Sequence, residues 1–462
     1  MEELVKQNPL AAERVGRLIA KFAVPAIISM LVSSLYNIVD QIFIGQGVGM
    51  LGNAATNIAF PVSIICTATA LLLGIGSASN YNLESGAGNP ERAARIAGTG
   101  LSLLAVSGVL IAGVVLIFLN PLLHLFGVTP DVLPYALDYT GITAFGIPFL
   151  VLTTGGNHLI RADRSPTYSM TCMLTGAIIN TILDPLFIFG FHWGIKGAAW
   201  ATIIGQIISG IMVIIYFVKI RHMELTATMM RPKGIYLKAI LSLGMAACIN
   251  QIAMAAVQIV MNNTLRHYGA SSIYGTDIPL ACVGVISKVN MVFMAICIGI
   301  SQGCQPIWGF NYGAGNFGRV KETYKKAAVI SLAVGIIFFA AFQIFPRQIV
   351  SIFGSGSEEY FHFAERYFRI FMLMTFINGL QPMSSGFFTS IGKAKLGIVV
   401  SLTRQVIFLL PLIVLFPLFM GIDGVMYAGP IADAAAAAVA IAYAYRELKK
   451  FGHCPSQDNV LE

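Results

Sequence analysis

The chain has 462 residues, of which 56% are hydrophobic and only 11% charged. An ordinary soluble domain carries roughly 25% charged residues, so this composition excludes a cytosolic enzyme, a secreted module and a disordered chain and makes the bilayer the natural solvent. The net charge of +8, from 29 Lys and Arg against 21 Asp and Glu, follows from membrane topology, as shown below, and calls for no nucleic-acid partner.

The N-terminal stretch MEELVKQNPLAAERVGR is polar and opens on the acids Glu2 and Glu3, unlike a cleavable signal, so the first apolar run is expected to be retained. A helix needs about 20 apolar residues to cross the hydrocarbon core. Twelve such runs are expected, at 18–44, 53–80, 96–119, 132–160, 167–190, 195–219, 236–266, 278–306, 326–345, 362–390, 396–419 and 424–445; they are called spans 1 to 12. Backbone groups in lipid must be satisfied internally, and the alternation of a membrane barrel is absent, so the expected fold is an all-α polytopic bundle.

Basic residues in the loops set the direction. With the N-terminus inside, the inner segments hold 22 Lys and Arg, starting at Lys6 and Arg14, and the outer segments hold five: Lys196, Arg266, Arg347, Arg366 and Arg369. Both termini are therefore expected to be cytoplasmic, in a cell membrane.

Two loop motifs recur at one spacing. Gly86-Ala87-Gly88-Asn89 and Gly313-Ala314-Gly315-Asn316 lie 227 residues apart, and so do Gly194-Ile195-Lys196-Gly197 and Gly421-Ile422-Asp423-Gly424. Equal offsets point to a duplicated six-helix unit, with residues 1–227 carrying spans 1–6 and residues 228–462 carrying spans 7–12. An even number of spans per unit makes the two lobes parallel, a pattern of carriers that rock around a central site.

Ionisable residues within a membrane are functional candidates. Five lie inside spans: Asp40, Asp184, Lys288, Arg404 and Asp433. Asp40 and Asp184 have no acidic counterpart in the other lobe, so the shared fold does not demand them. In span 1, Ser29, Ser33, Tyr36, Asn37 and Asp40 form one helical stripe. Asn180 and Asp184 are one turn apart in span 5, ahead of Pro185. Thr202, Gln206 and Ser209 mark span 6, and Thr153, Thr154 and Asn157 mark span 4. These stripes are expected to converge on a polar pocket in the first lobe, able to hold a proton or, through its oxygen ligands, Na⁺. No other metal and no organic cofactor is expected.

In span 7, Gln251, Ala255, Gln258 and Asn262 share a face that reads as an uncharged cavity wall. Tyr36, Asn37 and the pliable Met254 and Met291 are expected to add to the substrate cavity. Lys288 and Asp433 are expected to pair across the second lobe. The seven cysteines, Cys454 among them, include no C-x-x-C pair and read as packing residues. Gly47 to Gly52 matches G-x-G-x-x-G but joins two membrane helices with no preceding strand, so it is a turn. With no catalytic constellation and no ATPase motif, the chain is not expected to be an enzyme.

The stretch Pro25–Gly45 (PAIISMLVSSLYNIVDQIFIG), the GAGNPERA loop and the Asn180-x-x-x-Asp184-Pro185 element resemble the multidrug and toxic compound extrusion (MATE) family of exporters, close to its bacterial MepA/DinF-like type. The resemblance implies two six-helix lobes around a V-shaped cavity and exchange of small-molecule drugs, often cationic and aromatic, against H⁺ or Na⁺. It implies an ion site at Asp40, Asn180, Asp184 and Thr202 with Asn157 beside it, and a bending role for Pro25, which reads equally well as a helix-start proline. Besides the drugs and membrane lipid, no partner is implied, and the chain is expected to work as a monomer. A flippase for lipid-linked precursors is the alternative, and it would need more cavity arginines than Lys288 and Arg404 leave room for.

Overall fold

The computed structural model describes residues 8–275, 277–353 and 357–451; Lys6 and Cys454 lie outside the described residues. Among these the chain is helical and carries no strand. Among the described residues ten helices are long and apolar enough to cross a membrane. Span 4 is a pair, Leu133–Ala144 and Ile147–Ala162, bent by 55° at Phe145-Gly146. Span 10 is cut into Glu358–Phe371, Thr375–Asn378 and Leu380–Ser390, which completes a twelve-span arrangement. The other bounds run somewhat beyond the apolar runs, with span 1 at Val15–Gly47, span 2 at Met50–Gly86, span 7 at Gly234–Ala270 and span 8 at Asp277–Gly313. The polar turns at both ends of these helices are helical too, which hydropathy does not register.

Pro25 lies inside the span 1 helix, ten residues after its start, and is buried. The helix-start reading is therefore corrected. The ring removes one backbone donor, and Ser29 Oγ donates to the Pro25 carbonyl at 2.8 Å.

The loops assigned to one side by their charge do gather at one end. Asn311 and Arg319 donate to the Leu10 carbonyl at 3.0 and 3.1 Å, and Arg319 also donates to the Glu13 carbonyl at 2.6 Å. Lys393 pairs with buried Glu447. Three of the basic residues expected on the other side pair among loops and helix ends, Lys196 with Asp138, Arg347 with Glu358 and Arg366 with Asp423. Arg347 holds the Glu358 carboxyl below its ordinary range.

The two halves press together at the end where the described chain begins and finishes, near Pro9 and Lys450. A Cβ on Gly86 would stand 2.0 Å from the Phe310 carbonyl oxygen, and one on Gly313 would stand 2.1 Å from that of Leu83. Gly86 and Gly313 are 227 residues apart, as are Leu83 and Phe310, so the contact is self-complementary about a pseudo-two-fold axis. Gly76 against Ile240 and Gly244 against Leu72 repeat the motif between spans 2 and 7. Without a hydrophobic drive between helices in lipid, small residues that let backbones touch are what hold such helices together. Toward the other end, Leu35, Asn37, Gln41 and Ile42 of span 1 and Met254, Gln258 and Asn262 of span 7 are exposed.

Near the terminal end, the Asp163 carboxylate fastens four segments. It accepts from Tyr81 (3.2 Å), from Tyr216 (2.8 Å) and from the His222 backbone N–H in the inter-lobe linker (2.7 Å). Burial pushes its carboxyl up, and the His222 N–H and Tyr216 hydroxyl act against that.

Candidate ion-coupling site and second-lobe cavity

Asp184 is fully buried, at 0% exposure, and directly precedes Pro185. Pro185 has no N–H, so the helix loses one ladder bond there and its regular α-pattern is disturbed. The chain goes on as a π-helical turn, Leu186–Gly190, closed by the Phe191 N–H donating to the Leu186 carbonyl at 2.9 Å. Such turns are frequent at functional positions in helices.

Asp40 comes from span 1 to meet Asp184, and the two carboxyls lie within hydrogen-bonding reach. Two carboxylates offer only acceptors, so a proton or a cation is what can join them. Asn180 is buried one turn before Asp184. In the amide orientation that satisfies both ends, its nitrogen donates to Asp184 Oδ2 at 3.2 Å and its oxygen accepts from the Thr202 backbone N–H at 3.3 Å. Asp40, Asn180, Asp184 and Thr202 thus form one cluster. Tyr36 flanks the carboxyls, and so does Tyr139, whose hydroxyl reaches Thr202. Tyr139 escaped the sequence reading because a tyrosine in an apolar run looks like packing.

Thr140 Oγ1 and Gln206 Oε1 are buried without partners, as is Asp40 Oδ1. The first two, with Tyr139 and Thr202, line a cavity of about 60 Å³, room for a water or two. Unpartnered oxygens beside a carboxyl pair suit a proton or a hard monovalent cation. Among the described residues no group of three or more His, Cys, Asp and Glu is placed to hold a metal.

Asn157 does not join this cluster. Its oxygen accepts from Ser169 Oγ at 3.0 Å, and Ser169 in turn accepts from buried Arg161 at 3.1 Å. Ser169 precedes Asp184 on span 5 by 15 residues, about 22 Å of helix. Helical spacing reported the face of span 4 but not the depth. The span 1 stripe also divides. Tyr36 and Asp40 turn to the first-lobe cluster, Ser33 lines a second-lobe cavity, and Asn37 is exposed with its amide on the Ser33 carbonyl at 2.6 Å.

The second-lobe cavity has a volume of about 310 Å³ and includes Met254, Gln258 and Met291 in its lining. Gln251 is outside the lining, and Asn262 touches it only by accepting from Gln258 at 2.9 Å. Asp433 does not pair with Lys288. It accepts from Arg404 Nε at 2.5 Å and from Asn378 Nδ2 at 3.2 Å, and all three are buried. The sequence offered two cations for one acid, and Lys288 has no ion-pair partner among the described residues. The six described cysteines are free.

The MatE family model matches residues 25–186 and again residues 246–415, one match in each lobe. The chain belongs to this family and is a multi-pass membrane protein. It is 26% identical over 425 residues to the multidrug export protein MepA of Staphylococcus haemolyticus, covering 92% of each chain. It is 26% identical over 433 residues to the protein of the same name from Staphylococcus aureus strain MW2, covering 92% of this chain and 93% of the relative. Its fold matches the outward-facing conformation of a multidrug resistance MATE family transporter of the MOP superfamily, with a TM-score of 0.89 over 98% of both chains at 22% identity.

Proposed function

We propose that the chain is a secondary multidrug exporter that exchanges small, mostly cationic and aromatic molecules against H⁺ or Na⁺ at the Asp40–Asp184 cluster. The observation that carries this reading is the contact between two carboxyls inside a lobe, bounded by Asn180, Thr202 and Tyr139. MepA relatives named as multidrug export proteins support export of small-molecule drugs.

With the termini cytoplasmic, the glycine contacts seal the inner end and the cleft faces outward. A proton or Na⁺ enters the cluster from outside, completes the carboxyl pair, and the drug leaves. The lobes, divided in the linker near residue 227, then rock, the ion departs inward and a new drug binds. Moving one charge across 100 mV yields about 2.3 kcal/mol, roughly a 50-fold gradient of a neutral substrate. A monovalent cation exchanged one-for-one moves no net charge and depends on the chemical gradient of the ion alone.

Export of ethidium from proteoliposomes tests the reading. A pH gradient without Na⁺, or a Na⁺ gradient at symmetric pH, is expected to drive it. Failure under both gradients would overturn ion-coupled export.

A further inference from the structure

The second-lobe cavity holds a cation whose bonding capacity is incompletely used. Arg404 is 7% exposed and sits on a π-helical segment, Thr403–Leu409, next to Gln405, and both line the cavity. Its guanidinium donates through Nε to Asp433. The two terminal nitrogens make no hydrogen bond to the described residues, and neither is among the fully buried side-chain atoms left without a partner. A side-on pair through Nε alone leaves free the pair of N–H groups with which arginine grips a carboxylate in bidentate fashion.

The rest of the lining fits this picture. It contains no acid. Met254, Met261, Met291 and Met294 supply pliable, polarizable walls, and Tyr367 and Phe371, stacked with ring centroids 5.0 Å apart, close one side. The carbonyl oxygen of Asn290, in the same lining, is buried without a donor. The volume of about 310 Å³ lies at the small end of ligand pockets.

We infer that this cavity binds an aromatic carboxylate carrying an N–H next to the acid, of the N-acyl or N-sulfonyl amino-acid type, with its carboxylate on the terminal nitrogens of Arg404, its N–H on Asn290 and its ring among the methionines. Asp433 is the resident counter-ion that keeps the guanidinium in place when the cavity is empty. The site is chemically opposite to the Asp40–Asp184 cluster, so the protein accepts acidic and zwitterionic amphiphiles as well as cations. The inference takes from the proposed function only that small amphiphiles reach the cleft. Its test reads binding and not transport, so the two can fail separately.

The probes are dansylglycine and dansylamide, which share a fluorophore and differ in the carboxylate, with purified protein in phosphatidylcholine nanodiscs. Wild type is expected to bind dansylglycine about tenfold or more tighter than dansylamide, the scale of one charge-assisted pair. Arg404→Gln removes that preference. Asp433→Asn, which keeps the arginine and weakens its internal partner, raises dansylglycine affinity and leaves dansylamide unchanged. Met291→Trp, which fills the cavity, abolishes saturable binding of both. Equal affinity for the two probes in wild type, or a preference that survives both Arg404→Gln and Met291→Trp, would overturn the assignment. Displacement of dansylglycine by phosphatidylglycerol in the disc, with no preference between the probes in its absence, would assign the arginine to a lipid headgroup instead.

Discussion

Replacing Gly86 or Gly313 by alanine acts on the balance between the lobes and not on either site. The new methyl carbon would stand 2.0 or 2.1 Å from a carbonyl oxygen of the opposite lobe, whereas a carbon–oxygen contact settles at about 3.3–3.6 Å. The lobes must therefore part by more than 1 Å at this end, roughly the difference of those values. Overpacking of this kind costs about 1–3 kcal/mol, and only the state closed at the terminal end bears it. The equilibrium between closed and open forms of that end should then shift by about 5–150-fold. Because the two contacts are related by the pseudo-two-fold and lie side by side, one separation relieves both. The double variant should cost less than the sum of the singles. Spin labels at Glu91 and Glu322, exposed at the starts of spans 3 and 9, in a background free of native cysteines, report the separation by pulsed electron resonance. Wild type should show one short distance, with a longer one added in Gly86→Ala and Gly313→Ala. An unchanged distribution in both folded variants would refute the idea that these backbone contacts seal the end.

Other outcomes follow from the first-lobe cluster and its surroundings. Asn180→Ala removes the donor to Asp184 and should slow gradient-driven export by about tenfold, a lost hydrogen bond to a charged group, while ethidium binding measured at equilibrium persists. Tyr139→Phe keeps the ring and removes the hydroxyl near Thr202; export should fall and its pH profile should shift, whereas a packing role would leave the profile in place. Tyr216→Phe deletes bonds to Asp163 and Ser165, both 2.8 Å. A buried acceptor left short of a donor costs about 1–3 kcal/mol, so amide exchange across 216–222 should accelerate without loss of the Asp40–Asp184 cluster.

How much the sequence disclosed depended on which physical signal each feature carries. Spans such as 2, 3 and 9 were legible because continuous apolar length is what the bilayer demands. The breaks in spans 4 and 10 were not, since Phe145-Gly146 and Met372–Gly379 lie within largely apolar runs while the helix is interrupted. Asp40, Asn180, Asp184 and Thr202 could be read as one group because each is an expensive polar residue on an apolar helix. Asn157 met the same criterion and sits elsewhere, since periodicity carries no information on depth. The Arg404–Asp433 pair spans 29 residues and two helices, and only packing decides that Arg404 and not Lys288 reaches the acid. The reciprocal glycines were visible as a repeated loop motif, but that they press on each other's backbones requires the pseudo-two-fold arrangement.

The most direct test of the account is ethidium export from proteoliposomes loaded with wild type, Asp40→Asn or Asp184→Asn, under the gradient that drives the wild-type protein. Each asparagine keeps the shape of the carboxyl and removes its titration. Export against the gradient should vanish in both variants, with passive binding and the folded state retained. Wild-type rates in Asp184→Asn would contradict coupling through the first-lobe acids.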